Sequence, residues 1–476
     1  MMTVPAWLNT VVEAIFLISL AYAGLVAVVM LTMLVLALIE GRYRSQQQRF
    51  EDHAGVARSR FTPTVSILVA AFNEEAGVLA AVASLLRQNY PEFEVILVDD
   101  GSTDNTFGVL RQHYELEPYD LADRRLPPQY DKVECYRSRM DPRLLVAHKN
   151  NGGKASAINC ALGLARHRYI CCVDGDTVYI RDALLKAMAL VVKDPATVVG
   201  VTSLFGISHI PGVASGSVAE EEPEHGPFAL ERNLLGRLQH LDLMRSFIIY
   251  RLAWSKLGSM LCVPGAFAVW RRDVVIEAGG FSSNFTCEDI EMTFRIHEKF
   301  LREGRPYQIM SLHEMVAQTE GPDNASALVR QRARWQRVTL ETVWHYRRMF
   351  LKPRYGVVGM LGVPYYIIFE ALAPLMQTLS FLALALLIVF GQVDWQMYTL
   401  FLATVVFANA IPTTMAILLY DQAYRRYSVR ELARLLILGP MDLLLYRPIL
   451  VYAGLRGSWQ FLRGDKGWDK FVRNAR

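Results

Sequence analysis

Apolar and polar positions fall into two regimes along the chain. From Ala14 to Ile39, "AIFLISLAYAGLVAVVMLTMLVLALI", no charge interrupts the apolar run. The run exceeds the ~20 residues a helix needs to cross a bilayer. No basic leader precedes it and no clear small-residue cleavage site follows, so a removable signal is disfavoured. Residues 1–13 carry no Lys or Arg, whereas "GRYRSQQQR" follows the run. The excess of positive charge on that side places residues 1–13 outside the membrane and the next segment in the cytoplasm.

Three more apolar stretches follow, Tyr365 to Phe390, Met397 to Tyr420 and Leu432 to Leu455. The connecting loop "DQAYRRYSVR" and the tail 457–476 are both basic and are expected in the cytoplasm. Three full spans would put that tail outside. The last stretch holds Asp442 and Arg447 and is broken by Pro440 and Pro448, so a re-entrant or interfacial course is one solution. A separate membrane element at "YGVVGMLGVPYYIIF" is another, and the span count stays open. Glu370, Asp442 and Arg447 read either as an ion pair between helices or as the polar lining of a path through the membrane.

Between Pro63 and Phe350 the period changes. "TVSILVAAF", "FEVILVDDGS", "RLLVAHK" and "RYICCVDGDT" are short apolar runs with the branched content of strands. "EEAGVLAAVASLLRQ", "DNTFGVLRQHY" and "KASAINCALGLAR" alternate with them at helical spacing. This βαβα order predicts an α/β domain over residues 60–320, a mostly parallel sheet with helices on both faces. Residues 321–364 are expected to be interfacial amphipathic helices and residues 365–456 transmembrane or re-entrant helices. The acidic, Gly/Pro-rich stretch 209–227 is expected to be a mobile surface loop.

Composition agrees with a water-facing domain joined to membrane helices: 52% of residues are hydrophobic, yet 20% are charged. A net charge of +4 gives no ground for a nucleic-acid partner. The six cysteines show no CxxC or Cys/His spacing, which favours reduced thiols over a disulfide frame or zinc site.

Ligands of open α/β sheets bind beyond the carboxyl ends of the strands. "NEE", "DDGS" and "DGD" all fall at such ends. Helix capping accounts for many single acids there, Asp104 and Asp182 among them. Several acidic ends on one rim repel unless a cation joins them. Asp174 and Asp176, flanking Gly175, could share a divalent ion. "NNGGK", Asn150 to Lys154, adds a Gly-rich turn with a lysine to meet phosphate, although the P-loop spacing is absent. A metal–diphosphate nucleotide site follows; a dinucleotide site is the weaker alternative, because no GxGxxG follows the first strand. Glu288, Asp289 and Glu291 open a helix, and read either as acids favoured by the helix dipole or as the source of a general base. In "QRARWQRV", Gln331, Arg334 and Trp335 share one helical face while Arg332 and Arg337 are expected to point elsewhere. That face suits a hydroxyl-rich ligand or its charged leaving group; a basic amphipathic helix on a membrane surface is the other reading.

Taken in order, these motifs resemble the family 2 glycosyltransferases, and more narrowly their membrane-embedded, processive branch of cellulose, hyaluronan, poly-N-acetylglucosamine and chitin-oligomer synthases. The resemblance runs from about residue 60 to the C-terminus. It implies a GT-A-like nucleotide-sugar-binding domain inserted between transmembrane helices. "AAFNEE" resembles the family's P-x-Y-N-E, which places Phe72 and Glu74 at the uracil and ribose. Asp100 then contacts the uracil, Lys154 lies near the nucleotide, and Asp174 and Asp176 form the D-x-D that binds UDP with Mg²⁺ or Mn²⁺. Asp289 matches the catalytic base of the T/G-E-D motif. Glu288, Gln331, Arg334 and Trp335 fall on the acceptor and diphosphate side, Trp335 stacking on the acceptor sugar.

Ala70 and Phe72 depart from the usual proline and tyrosine, and Cys287 from the threonine of some members. The resemblance implies an inverting transfer from a UDP-sugar, UDP-N-acetylglucosamine as first choice, to a β-linked polysaccharide exported through the chain's own helices. Single addition to a membrane lipid is the alternative, and an idle subunit that binds a nucleotide or scaffolds a secretion complex is a third. The expected partners are donor, polysaccharide or lipid acceptor, membrane lipids and export subunits, at a multi-pass site in the inner (plasma) membrane.

Overall fold

The computed structural model describes residues 6–48, 53–59, 61–120, 133–207, 233–319, 321–389, 394–424 and 427–465. The stretch 209–227 lies outside them. Ten strands form one sheet: β1 (Val65–Ala71), β2 (Phe93–Asp99), β3 (Leu116–Pro118), β4 (Glu134–Ser138), β5 (Leu144–His148), β6 (Tyr169–Asp174), β7 (Val178–Tyr179), β8 (Val198–Ile207), β9 (Phe267–Arg271) and β10 (Gln308–Thr319). Their order is β3-β4-β5-β2-β1-β6-β9-β8-β10-β7.

The four strands read from sequence are the parallel centre, β5-β2-β1-β6. Alternation along β1 explains its place. Val65, Ile67, Val69 and Ala71 feed the core on one face, while Leu68 feeds the core on the other. Burying each large aliphatic chain contributes roughly 1.5–3 kcal/mol. The sheet is mixed, however. β9 runs antiparallel between β6 and β8, and β3, β4 and β7 pair antiparallel at the edges. Register sets the site: Ala71 lies opposite Asp99, and Ala70 opposite Asp174, so three strand ends meet on one rim.

The first apolar run belongs to a helix over Ala6–Gln48, longer than the apolar stretch alone. Its far end is clamped to the α/β domain. Arg44 donates to Glu40 at 2.7 Å, the Ser311 carbonyl at 2.6 Å and Ser255 Oγ at 3.1 Å. Among the described residues, two helices are long and apolar enough to cross a membrane, Thr10–Arg44 and Trp395–Gln422. Two bent pairs bring the number to four if each is one span: Val358–Ala371 with Ala373–Val389, bent by 46°, and Val429–Leu445 with Arg447–Arg463, bent by 45°. The stretch beginning at Tyr365 thus straddles the break of a longer element whose first half, Val358–Ala371, takes in most of "YGVVGMLGVPYYIIF". The stretch from Leu432 breaks at Tyr446, beside the proline and charges that weakened it as a straight span.

The helix Ala325–His345, which carries Gln331 to Trp335, packs along Arg447–Arg463. Glycine makes that approach possible. A Cβ on Gly457 would lie 2.2 Å from the Ala333 carbonyl oxygen, and one on Gly454 2.3 Å from Pro374. We expect Gly457→Leu to force the helices apart, costing about 1–3 kcal/mol and lowering turnover, because the displaced helix carries site residues. Thermal unfolding and UDP release on one preparation test this; full stability and full turnover would refute it.

Candidate active site

Asp99 ends β2 and Asp100 follows it, but the two do different work. Asp99 is fully buried, 2.6 Å from His148 Nδ1. Asp100 accepts from the Gly152 and Gly153 amides at 3.0 and 2.7 Å and from Lys149. This carboxylate therefore pins the Gly-rich turn that opens the helix Lys154–Leu164, a task the sequence reading did not assign to it. Gly101 must be glycine: its φ is +70°, and a Cβ would meet the Asn151 nitrogen at 2.7 Å.

The pinned turn delivers Lys154 to the rim. Its ammonium lies 2.6 Å from Asp174 and 3.3 Å from Glu288, joining the end of β6 to the start of the helix Glu288–Glu303. Burial works against this charge, but Asp174, Glu288 and Asp289 outweigh it and hold the lysine pKa well above its ordinary value. Burial, only partly offset by Lys154 and reinforced by Asp289, pushes the Glu288 pKa up.

Asp289 sits in the first turn of that helix. Its Oδ2 accepts from the Gly265 amide at 2.9 Å; its Oδ1 accepts from the Ile290 amide at 2.6 Å and the Cys287 thiol at 2.9 Å. Cys287, the departure noted above, thus holds the carboxylate in place. The neighbouring Glu291 is structural: it accepts from the Tyr346 hydroxyl at 2.7 Å and pairs with Arg295. With Thr286 donating to Glu341 at 3.0 Å, this ties the Asp289 turn to the helix Ala325–His345.

A cavity of about 2640 Å³ unites the predicted residues. Phe72, Glu74, Asp100, Lys154, Asp174, Asp176, Asp289, Gln331, Arg334 and Trp335 all line it. Glu288 does not. It is buried behind Lys154, with 3% of its surface exposed. Asp104 accepts from the Thr106 amide at 3.0 Å from one position ahead of the N-cap, Asn105, and it also borders the cavity. Asp182 instead accepts from Asn89 at 2.9 Å.

Two features escaped the sequence reading. Arg332 does not point away: its guanidinium lies 4.2 Å from the Trp335 ring centre and pairs with Asp242 at 3.1 Å. Nor was the wall from Leu234 to Lys256 foreseen, which brings Asp242, Arg245, Arg251 and Trp254 to the cavity. Charges at 242, 245 and 251 within the mainly apolar run from Leu241 to Trp254 were the available signal.

Asp174 and Asp176 suit a divalent cation. Both carboxylates reach the cavity, and their oxygens are the hard donors that Mg²⁺ and Mn²⁺ take. Among the described residues no group of three or more His, Cys, Asp and Glu is arranged to hold a metal.

A Glycosyl transferase family 2 model matches residues 66–256, and a Glycosyl transferase family group 2 model matches residues 169–418. A beta-monoglucosyldiacylglycerol synthase of Nostoc sp. is 28% identical over 62% of this chain and 53% of its own length. A poly-beta-1,6-N-acetyl-D-glucosamine synthase of Staphylococcus epidermidis is 23% identical over 57% of this chain and 53% of its own. The chain spans about half the length of the curated relatives it matches. The mannosyltransferase PcManGT from Pyrobaculum calidifontis, solved with GDP-Man and Mn²⁺, superposes over 92% of this chain and 99% of its own, with 16% identity and a TM-score of 0.48. The second family match alone takes in more than half of the sequence, and on that ground the chain belongs to the family 2 glycosyltransferases.

Proposed function

We propose that the chain is a UDP-sugar-dependent, inverting hexosyltransferase whose acceptor reaches the site from the membrane side. The carrying observation is the single cavity, lined both by the acidic rim and by the apolar helices. It is far larger than the ~300–1,000 Å³ of an ordinary small-molecule pocket, so it has room for an extended acceptor beside the donor.

Asp174 and Asp176 would hold Mg²⁺ or Mn²⁺, which when bound neutralises charge on the donor diphosphate. Phe72 and Glu74 border the nucleoside end. Lys154 and Arg334 face the diphosphate and stabilise the departing UDP. Trp335 offers its face to the acceptor ring. Asp289 takes the proton from the acceptor hydroxyl as that oxygen attacks the anomeric carbon from the side opposite UDP. The carbon–oxygen bond to UDP breaks with its electron pair, and an α-linked donor yields a β-linkage.

A growing polysaccharide, with N-acetylglucosamine as the unit, is the first reading of the acceptor. Tyr250, Trp254, Tyr365, Tyr366 and Phe369 give the cavity the flat faces pyranose rings pack on. Transfer to a lipid is the second reading. It is favoured by Phe381, Leu384, Phe401, Leu402 and Val405 deeper among the helices, beyond which Val12, Phe16 and Leu387 close an apolar cluster.

The test uses detergent-purified chain, Mg²⁺ or Mn²⁺, and a panel of UDP-sugars, with UDP release followed and products sized. One active donor and long product are expected. A single sugar on added lipid would install the second reading, and no release from any donor would overturn the transfer reading.

A further inference from the structure

Helix geometry changes along the overlooked cavity wall. Between the α-helices Leu234–Met244 and Leu252–Lys256 the chain makes a π-helical turn, Arg245–Arg251. Such turns are rare and concentrate at functional sites. This one carries an arginine at each end. Arg245 is richly partnered, by Asp242, Asn409, Thr413 and Asp442.

Arg251 is not. Among the described residues its guanidinium makes no hydrogen bond or ion pair, and Nη1 is buried without a partner. The group instead rests 3.8 Å from the centre of the Phe247 ring. It lines the cavity. Asp289, Cys262 and Tyr366 line the same cavity. Leaving a partly buried cation unpaired is costly, and an unmatched buried donor calls for a missing partner. The Phe247 ring face offsets part of that cost without supplying a hydrogen-bond acceptor.

Position identifies the missing partner. On the donor side Lys154 already meets Asp174 and Glu288. Arg251 and Asp289 line the same cavity, as do Tyr366, which begins a π-helical segment, and Trp254, which packs edge-on against Tyr365 at 5.0 Å. An arginine presents five donors and no acceptor, so it suits a group rich in oxygen.

Resting on the transfer reading above, we propose that Arg251 is an acceptor-binding residue. Its guanidinium donates hydrogen bonds to oxygens flanking the attacking hydroxyl and so holds that hydroxyl against Asp289. A pyranose end offers hydroxyl oxygens there, and a glycerolipid offers ester oxygens.

The experiment measures acceptor KM for wild type, Arg251→Gln and Arg251→Lys in two arms: N-acetylglucosamine oligomers, and diacylglycerol in mixed micelles. UDP affinity by calorimetry and thermal unfolding run alongside. In whichever arm the wild type turns over, Arg251→Gln should raise acceptor KM about tenfold or more while UDP affinity stays within twofold. Arg251→Lys, which keeps charge but loses the fork, should fall between. An unchanged acceptor KM, or a loss of UDP affinity matching the KM change, overturns the assignment. So does a Gln variant that unfolds together with a Lys variant of normal KM. Wild-type chain that releases no UDP from any donor overturns the transfer reading, and this one with it.

Discussion

Asp289→Asn should leave a chain that folds and binds UDP but transfers sugar about a thousandfold more slowly, within the range for losing a general base. The exchange is nearly isosteric. An amide oxygen can still accept from the Ile290 amide, which lies 2.6 Å from Oδ1 in the native site. What it cannot do is take a proton from a hydroxyl. One local cost is foreseen: the amide nitrogen in place of Oδ2 would face the Gly265 N–H, itself a donor at 2.9 Å. Thermal unfolding therefore has to accompany the assay, and a modest drop is compatible with the role. Calorimetric UDP affinity within a few fold of wild type, with UDP release near background, is the expected pair. Turnover above about a tenth of wild type would place the base elsewhere. Glu288 is a poor substitute, because it is buried behind Lys154 and does not reach the cavity.

The legible part of this molecule is the part governed by local pattern. β1, β2, β5 and β6 announce themselves because both faces are buried, which makes each a short continuous apolar run. Their acidic ends could be placed on one rim because parallel register aligns Ala71 with Asp99 and Ala70 with Asp174. The Lys154 turn and the Asp289 turn followed from the same logic, and both border the cavity. What stayed hidden depends on partners far away in sequence. The antiparallel place of β9 is set by pairing with β6 and β8, not by anything in "FAVWR". Arg332 was expected to face away because i,i+3 and i,i+4 spacing from Gln331 excludes it. Spacing from Trp335 includes it, and Asp242, ninety positions earlier, fixes its direction. Charges in the apolar stretches posed a choice between an ion pair and a polar lining. The structure gives both. Asp442 is buried in a pair with Arg245, while Glu370 and Arg447 line the cavity.

Arg245→Ala is expected to be the most destabilising single change outside the core, by about 3–5 kcal/mol. Arg245 is 2% exposed and Asp442 1%. Arg245 donates to Asn409 at 2.6 Å, Thr413 at 3.0 Å and Asp442 at 3.3 Å, and pairs with Asp242 at 2.7 Å. It therefore fastens the wall helix of the catalytic domain to two membrane-region helices at once. Removing it leaves the buried Asp442 and the half-buried Asp242 short of positive charge. Arg447 remains 3.4 Å from Asp442 and Arg332 3.1 Å from Asp242, so the lower end of the range is the better expectation. The damage should spread to activity, because Arg332 also packs on Trp335. With Arg245 gone, Asp242 leans on Arg332 at 3.1 Å, with Arg447 the further cation acting on it, and the helix bearing Gln331, Arg334 and Trp335 is expected to shift against the rim. Thermal unfolding in detergent and acceptor KM should move together in the variant. The double variant Arg245→Ala with Asp442→Leu discriminates between charge and shape. If the single loss comes from stranding a buried carboxylate, removing Asp442 as well should recover much of the stability. A double variant no more stable than Arg245→Ala would mean that packing around the long arginine stem, rather than its charge, holds the two parts together.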